Sequence, residues 1–155
     1  MSSIERSERG LLIREGARAF LLPVRTIVET CRPLPVAATP GMPTCALGVS
    51  ILRGRPLPGV DLARGRGEPE RAAGRFVTLR LAERRAVLAV GDVVGLLDGE
   101  PLGSADLPPL LADAGSEIVA RLAVLDRELV QGLEAGRLVP DAVWEALASS
   151  RTDGS

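Results

Sequence analysis

Glycine and proline set the limits on this chain. Among its 155 residues are 17 Gly and 12 Pro, and they cut the apolar runs into short pieces. Gly supplies the positive φ of tight turns, and Pro removes a ladder donor and stops helices. Short apolar pieces between such punctuation read as strands joined by turns, more all-β than helical. The longest uncharged run, Pro33 to Leu52, is long enough to span a bilayer as a helix. Pro33, Pro35, Pro40 and Pro43, with Gly41 and Gly48, interrupt any helix there, so no membrane insertion is expected. Residues 1–10 (MSSIERSERG) are charged, carry no apolar core of a signal peptide and read as a flexible N-terminus. A cytoplasmic protein is the expectation.

The pieces fall into two groups. Leu11–Ile13, the turn Glu15-Gly16-Ala17-Arg18, and Phe20, Leu22 and Val24 at period two read as a hairpin. Val24 to Thr30 reads as its extended continuation. Cys31 to Thr44 reads as a Pro-rich loop without a ladder. Leu47–Leu52 and Leu57–Leu62 flank Arg53-Gly54-Arg55-Pro56, where Gly54 suits a tight turn. Residues 65–74 (GRGEPERAAG) look like a linker. Beyond it come Val77, Leu79 and Leu81, a turn near Ala82-Glu83-Arg84, and Ala86 to Leu97, which reads as one strand buried on both faces. Gly99 to Pro109 is irregular. Ile118–Leu125 and Glu128–Leu133 read as a hairpin about Asp126-Arg127, and Asp141 starts a helix bearing Val143, Trp144 and Leu147. Nine or ten short strands, divided about evenly by the linker, fit two small barrels better than one sandwich.

Composition excludes most chemistry. Nineteen basic residues, every one Arg, against twenty acidic give a net charge of −1, so no field steers the chain to nucleic acid. His, Lys and Tyr are absent, and Phe20, Phe76 and Trp144 are the only aromatics. No Ser-His-Asp or Cys-His pair, Schiff base, P-loop lysine or base-stacking platform can be assembled. Cys31 and Cys45 lack CxxC spacing and have no His beside them, so no metal site is expected. Asp61 and Asp92 have no motif that would make them a catalytic pair. The chain reads as no enzyme and as needing no cofactor.

One block is more specific. Gly48-Val49-Ser50-Ile51-Leu52-Arg53-Gly54-Arg55-Pro56-Leu57-Pro58-Gly59-Val60-Asp61-Leu62 resembles the strand-turn-strand motif of the CheW coupling-protein family, Gly-Val-x-Asn-Leu-Arg-Gly followed by Pro-Val-x-Asp-Leu. Ile51 replaces the family Asn, and Gly59 a family Val. Phe20-x-Leu22-Pro23-Val24, Ile27-x-Glu29, Gly91-Asp92-Val93-Val94-Gly95-Leu96-Leu97 and Leu133-Glu134 resemble further family segments, so the likeness spans about residues 11 to 140.

The resemblance implies two five-stranded Src-homology-3-like barrels with a groove between them, here with a short C-terminal helix. The expected division is a first barrel over about 11–64, a second over about 75–133, with strands open to exchange between them, and a helix and tail over 141–155. It further implies a non-enzymatic adaptor that couples the cytoplasmic tips of methyl-accepting chemoreceptors to the regulatory domain of a CheA-type histidine kinase. Arg53, at a hairpin corner, is the foremost candidate for receptor binding, since a guanidinium fork recognises carboxylates and carbonyls. Ile27, Val49 and Leu52 are candidate groove residues, and Gly48 a point of close backbone approach. Gly54, Pro58 and Asp61 read as structural members of the motif. The departures at Ile51 and Gly59 motivate a second reading: a double-barrel module that self-assembles, or binds a kinase without coupling receptors.

Overall fold

The computed structural model describes residues 9–65, 73–98, 119–125 and 128–153. Four hairpins and two lone strands account for its ten strands. The first hairpin is β1 (Arg9–Glu15) with β2 (Arg18–Pro23), turning at Gly16 with φ +63°. β3 (Ile27–Cys31) stands alone. The second hairpin is β4 (Ala46–Leu52) with β5 (Arg55–Asp61), followed by the one-turn helix α1 (Leu62–Gly65). β6 (Arg75–Leu81) and β7 (Arg84–Val90) form the third. β8 (Asp92–Asp98) is the second lone strand. The last hairpin, β9 (Val119–Leu125) with β10 (Glu128–Leu133), precedes α2 (Asp141–Asp153).

Two five-stranded sheets result: sheet A in the order β8-β1-β2-β10-β9, and sheet B in the order β3-β6-β7-β5-β4. Both follow one plan. A lone strand lies beside two hairpins, and the hairpins meet in a parallel pair, β2 with β10 and β5 with β7. Sheet B runs in chain order: β3, then β4–β5, then β6–β7. Sheet A repeats that order starting at β8, with β9–β10 next and the N-terminal hairpin β1–β2 supplied last. The sheets are one unit, circularly permuted in sheet A.

The strands on either side of the polar stretch 65–74, β5 and β6, both belong to sheet B, and the chain changes sheet between β2 and β3 and again at Gly91. Ala86 to Leu97 is accordingly not one strand: it breaks at Gly91 into β7 of sheet B and β8 of sheet A. The crossing is tight. A Cβ on Gly91 would lie 2.7 Å from the Arg14 carbonyl oxygen, and one on Gly74 would overlap the Gly91 carbonyl oxygen. Asp92, just past the break, is exposed and its carboxylate accepts a bond of 2.8 Å from the Val93 N–H. At the other crossing the expected extended continuation is replaced by a 3₁₀ turn, Val24–Thr26, closed by the Thr26 hydroxyl donating to the Pro23 carbonyl at 2.7 Å.

Period-two alternation places the core. Leu11 and Ile13 of β1, Phe20 and Leu22 of β2, Val60, Val77, Leu79, Ala86, Leu88 and Val90 of sheet B, and Val143 of α2 form one buried cluster shared by both sheets. The intervening residues point the other way. Leu12, Ala19, Leu21 and Val130 cluster behind sheet A, and Leu57, Phe76, Val87 and Ala89 behind sheet B. Each such aliphatic side chain contributes about 1.5–3 kcal/mol when fully buried, so the shared cluster ties the two sheets into one folding unit. No ladder among the described residues closes either sheet into a barrel. The expected segments at 1–8, 66–72, 99–118 and the turn at 126–127 lie outside the described residues.

Candidate functional site

The corner at β4–β5 carries the densest set of candidate residues. Leu52 pairs with Arg55, leaving a two-residue turn in which Arg53 (φ +53°) and Gly54 (φ +79°) are both left-handed. Positive φ at both central residues matches the right-handed twist of the strands. Nothing lies within 4 Å of a Cβ built on Gly54, so only the backbone conformation asks for glycine there. The turn projects the Arg53 side chain outward, 74% exposed, and across to β3. There Nε and Nη2 donate to the two carboxylate oxygens of Glu29 at 2.9 and 3.1 Å. This two-point bond holds the Glu29 carboxyl below its usual pKa, with the nearby Arg85 charge helping.

The pair has a topological meaning. β3 and β4 are the two outer strands of sheet B. An ion pair from the β4–β5 turn to β3 means that the sheet curls until its edges meet through side chains. Gly48 fastens the same edge differently. Its φ is +132°, and a Cβ there would overlap the Ala37 carbonyl oxygen. Ala37 and Val49 exchange two backbone hydrogen bonds of 2.8 Å, so the Pro-rich loop does carry one bridge, contrary to the expectation from its prolines. The close approach at Gly48 is therefore made by this chain's own loop.

The remaining candidates separate. Ile27 pairs with Leu79 and packs on the shared core, while Leu52 packs on the cluster behind sheet B. They lie on opposite faces and do not line one groove. Val49 sits opposite the buried Pro58, and the next pair on that face is Ile51 with Pro56. Ile51 is 62% exposed. Asp61 is buried at the end of β5. Its Oδ1 accepts the Ala63 N–H at 3.0 Å, starting α1, and its Oδ2 lies 3.8 Å from Arg64. Cys31 and Cys45 pack on different clusters, and burial pushes both thiols up, so neither is an activated nucleophile.

The CheW-like domain family model matches residues 9–143, most of the chain. The chain belongs to the CheW-like domain family. Among solved structures it resembles the scaffolding protein TtCheW from Thermoanaerobacter tengcongensis, with a TM-score of 0.73 and 17% identity over 86% of this chain and 97% of that one. At that identity the likeness is one of fold, and it establishes the CheW fold here. No curated protein matches the chain.

Within this CheW-like domain, sequence reasoning missed two features. The first is Glu29, in the Ile27-x-Glu29 segment, whose place on a strand does not by itself reveal a partner. Its signal was an acid beside a strand apolar residue, matched by a lone turn Arg one hairpin later. The second is the exposed pair Val94 and Leu96 on β8, at 51% and 57%. Their i, i+2 spacing was visible in the sequence, but the run read as doubly buried because the break at Gly91 was not recognised. No helix among the described residues is long and apolar enough to cross a membrane.

Proposed function

We propose that this CheW-like protein is a cytoplasmic, non-enzymatic adaptor that couples the tips of methyl-accepting chemoreceptors to the regulatory domain of a CheA-type kinase. The observation that carries the reading is the family match over residues 9–143, with the motif Arg presented at an exposed corner and clamped by Glu29. A guanidinium held at two points has already lost its rotamer freedom, so a partner meeting it loses less entropy on binding. Receptor contact is assigned to this corner: Arg53, with Val49 and Ile51 beside it. Kinase contact is assigned to the β8 edge, whose exposed Val94 and Leu96 offer an apolar strip on an outer strand. An affinity of about micromolar suits a reversible contact of this kind.

Self-assembly is the second reading, and the same β8 edge motivates it. Charge opposes it. Two copies of β8 pairing antiparallel about Gly95 would set Asp92 against Asp98, and like charges directly opposite destabilise a strand pair. Titration calorimetry with the kinase regulatory domain, and co-sedimentation with receptor cytoplasmic fragments, test the adaptor. Arg53→Ala is expected to lose receptor binding about ten- to hundred-fold, as for one charge-assisted contact, and to lower the melting temperature only slightly, as the loss of one exposed ion pair does. Equal, small losses for Arg53→Ala and Arg55→Ala would assign Arg53 to the solvated turn alone. Dimers in sedimentation without kinase binding would favour self-assembly.

A further inference from the structure

Away from the Arg53 corner, a cleft of about 530 Å³ opens between the start of β5, the β6–β7 turn and α2. Its apolar lining includes Pro56, Pro58, Trp144 and Leu147, and three of its polar residues are Arg55, Arg84 and Arg85, with Glu83 the one acid. The Arg84 guanidinium lies 4.4 Å from the centre of the Trp144 ring. Stacked there, it offers one face to the indole and keeps its in-plane N–H donors available. Arg55 is exposed, and the Arg85 charge also reaches Glu29 on β3. In a chain of net charge −1, three guanidiniums against one carboxylate make a local positive field.

We propose that this cleft binds an acidic peptide segment of a partner, one that alternates carboxylate and aliphatic side chains. Charge complementarity selects the carboxylates. The lining selects the rest, because a bare inorganic anion would leave Pro56, Leu147 and the indole edge in contact with water. Pro56 pairs with Ile51, which is 62% exposed on the same face, so the apolar floor continues beyond the arginines in the way an extended segment requires. Pro56 and Pro58 have no N–H to donate, so recognition runs through the guanidiniums and the apolar floor and not through an added strand. The cleft uses neither Arg53 nor the β8 edge, although Ile51 and Arg55 adjoin the Arg53 corner; the peptide titration involves neither receptor nor kinase, so its failure leaves the adaptor reading standing.

Trp144 is the only tryptophan, so intrinsic fluorescence reports on this cleft alone. The probe is a short end-blocked peptide of alternating Glu and Leu, titrated into the full chain, with a Gln–Leu peptide and inorganic phosphate as comparisons. A saturable change in Trp144 emission is expected with the Glu–Leu peptide, weakening as salt is raised. The Gln–Leu peptide should bind at least about ten-fold more weakly, and Arg55→Ala/Arg85→Ala should weaken the Glu–Leu peptide about ten-fold or more without moving the melting temperature. Arg55→Ala alone should give part of that loss. No fluorescence change with the Glu–Leu peptide, equal affinity for both peptides, full affinity in the Arg variants, or the same response to phosphate at similar concentrations would overturn the proposal.

Discussion

Sheet B fastens its outer strands and sheet A exposes one of its own, although both follow the same five-strand plan. In sheet B, Arg53 reaches from the β4–β5 turn to Glu29 on β3, and Ala37 bridges Val49 on β4. In sheet A, β8 carries Val94 and Leu96 at 51% and 57% exposure and, among the described residues, pairs only with β1. An unfastened outer strand with an apolar strip is a liability unless something covers it. The contrast separates an edge fastened within the chain from one whose Val94 and Leu96 stay exposed.

If the sheets share one core, neither can melt alone. Leu22 of sheet A and Leu88 of sheet B are fully buried in the common cluster. Leu22→Ala and Leu88→Ala should each cost about 2–5 kcal/mol and leave a single unfolding transition in calorimetry. Two transitions in either variant would break the picture of one core and restore two separate units. A smaller effect is expected at the fastened edge. Gly48→Ala places a Cβ against the Ala37 carbonyl at φ +132°, so urea unfolding should show a loss of about 1–3 kcal/mol. An unchanged midpoint would mean that the Pro-rich loop is not held against β4. At the exposed edge the pattern should reverse. Leu96→Glu should shift stability within about 0.5 kcal/mol while weakening the kinase regulatory domain about ten-fold in calorimetry. A large stability loss with unchanged binding would identify β8 as a covered strand.

The two sheets also differ in how much of them the sequence discloses. Sheet B is contiguous, and its hairpins turn at Gly54 and near Glu83 within a few residues of the apolar runs they join. Local turn chemistry and period-two alternation therefore suffice to draw it. Sheet A needs β2 beside β10, pairing Ala19 with Val130. No local propensity encodes a parallel contact between strands so far apart in the chain. The break at Gly91 was hidden for a related reason: a glycine within an apolar run reads as part of a buried strand until the carbonyl of Arg14 beside it is known. Of the candidate residues, the Arg53 turn was legible because its spacing is fixed by the two runs around it. The Glu29 partnership was not, since it depends on the curl that brings β3 to β4. Ile27 and Leu52 were grouped because both are apolar, whereas a bulge between Ile27 and Glu29 and the parity of β4 put them on opposite faces.

The smallest expected effect tests the curl itself. Glu29 is held below the ordinary carboxylate value of 4.5, chiefly by the hydrogen bonds from Arg53. A carboxyl whose pKa is lower in the folded state contributes stability that is present above the unfolded value, near 4.5, and is lost as the pH falls through the folded value. The pair is exposed, so its contribution is small and is screened by salt. Glu29→Gln should therefore melt slightly below the parent protein at neutral pH and low salt. The gap should close as the pH is taken down through and below 4.5, and separately as salt is added at neutral pH. A gap that survives both acid and salt would mean that Glu29 holds β3 by packing, and that the edges of sheet B meet for reasons other than the ion pair. Abolishing the gap with Arg53→Ala already in place would confirm that the two side chains act as one unit, because a double-mutant cycle isolates their coupling.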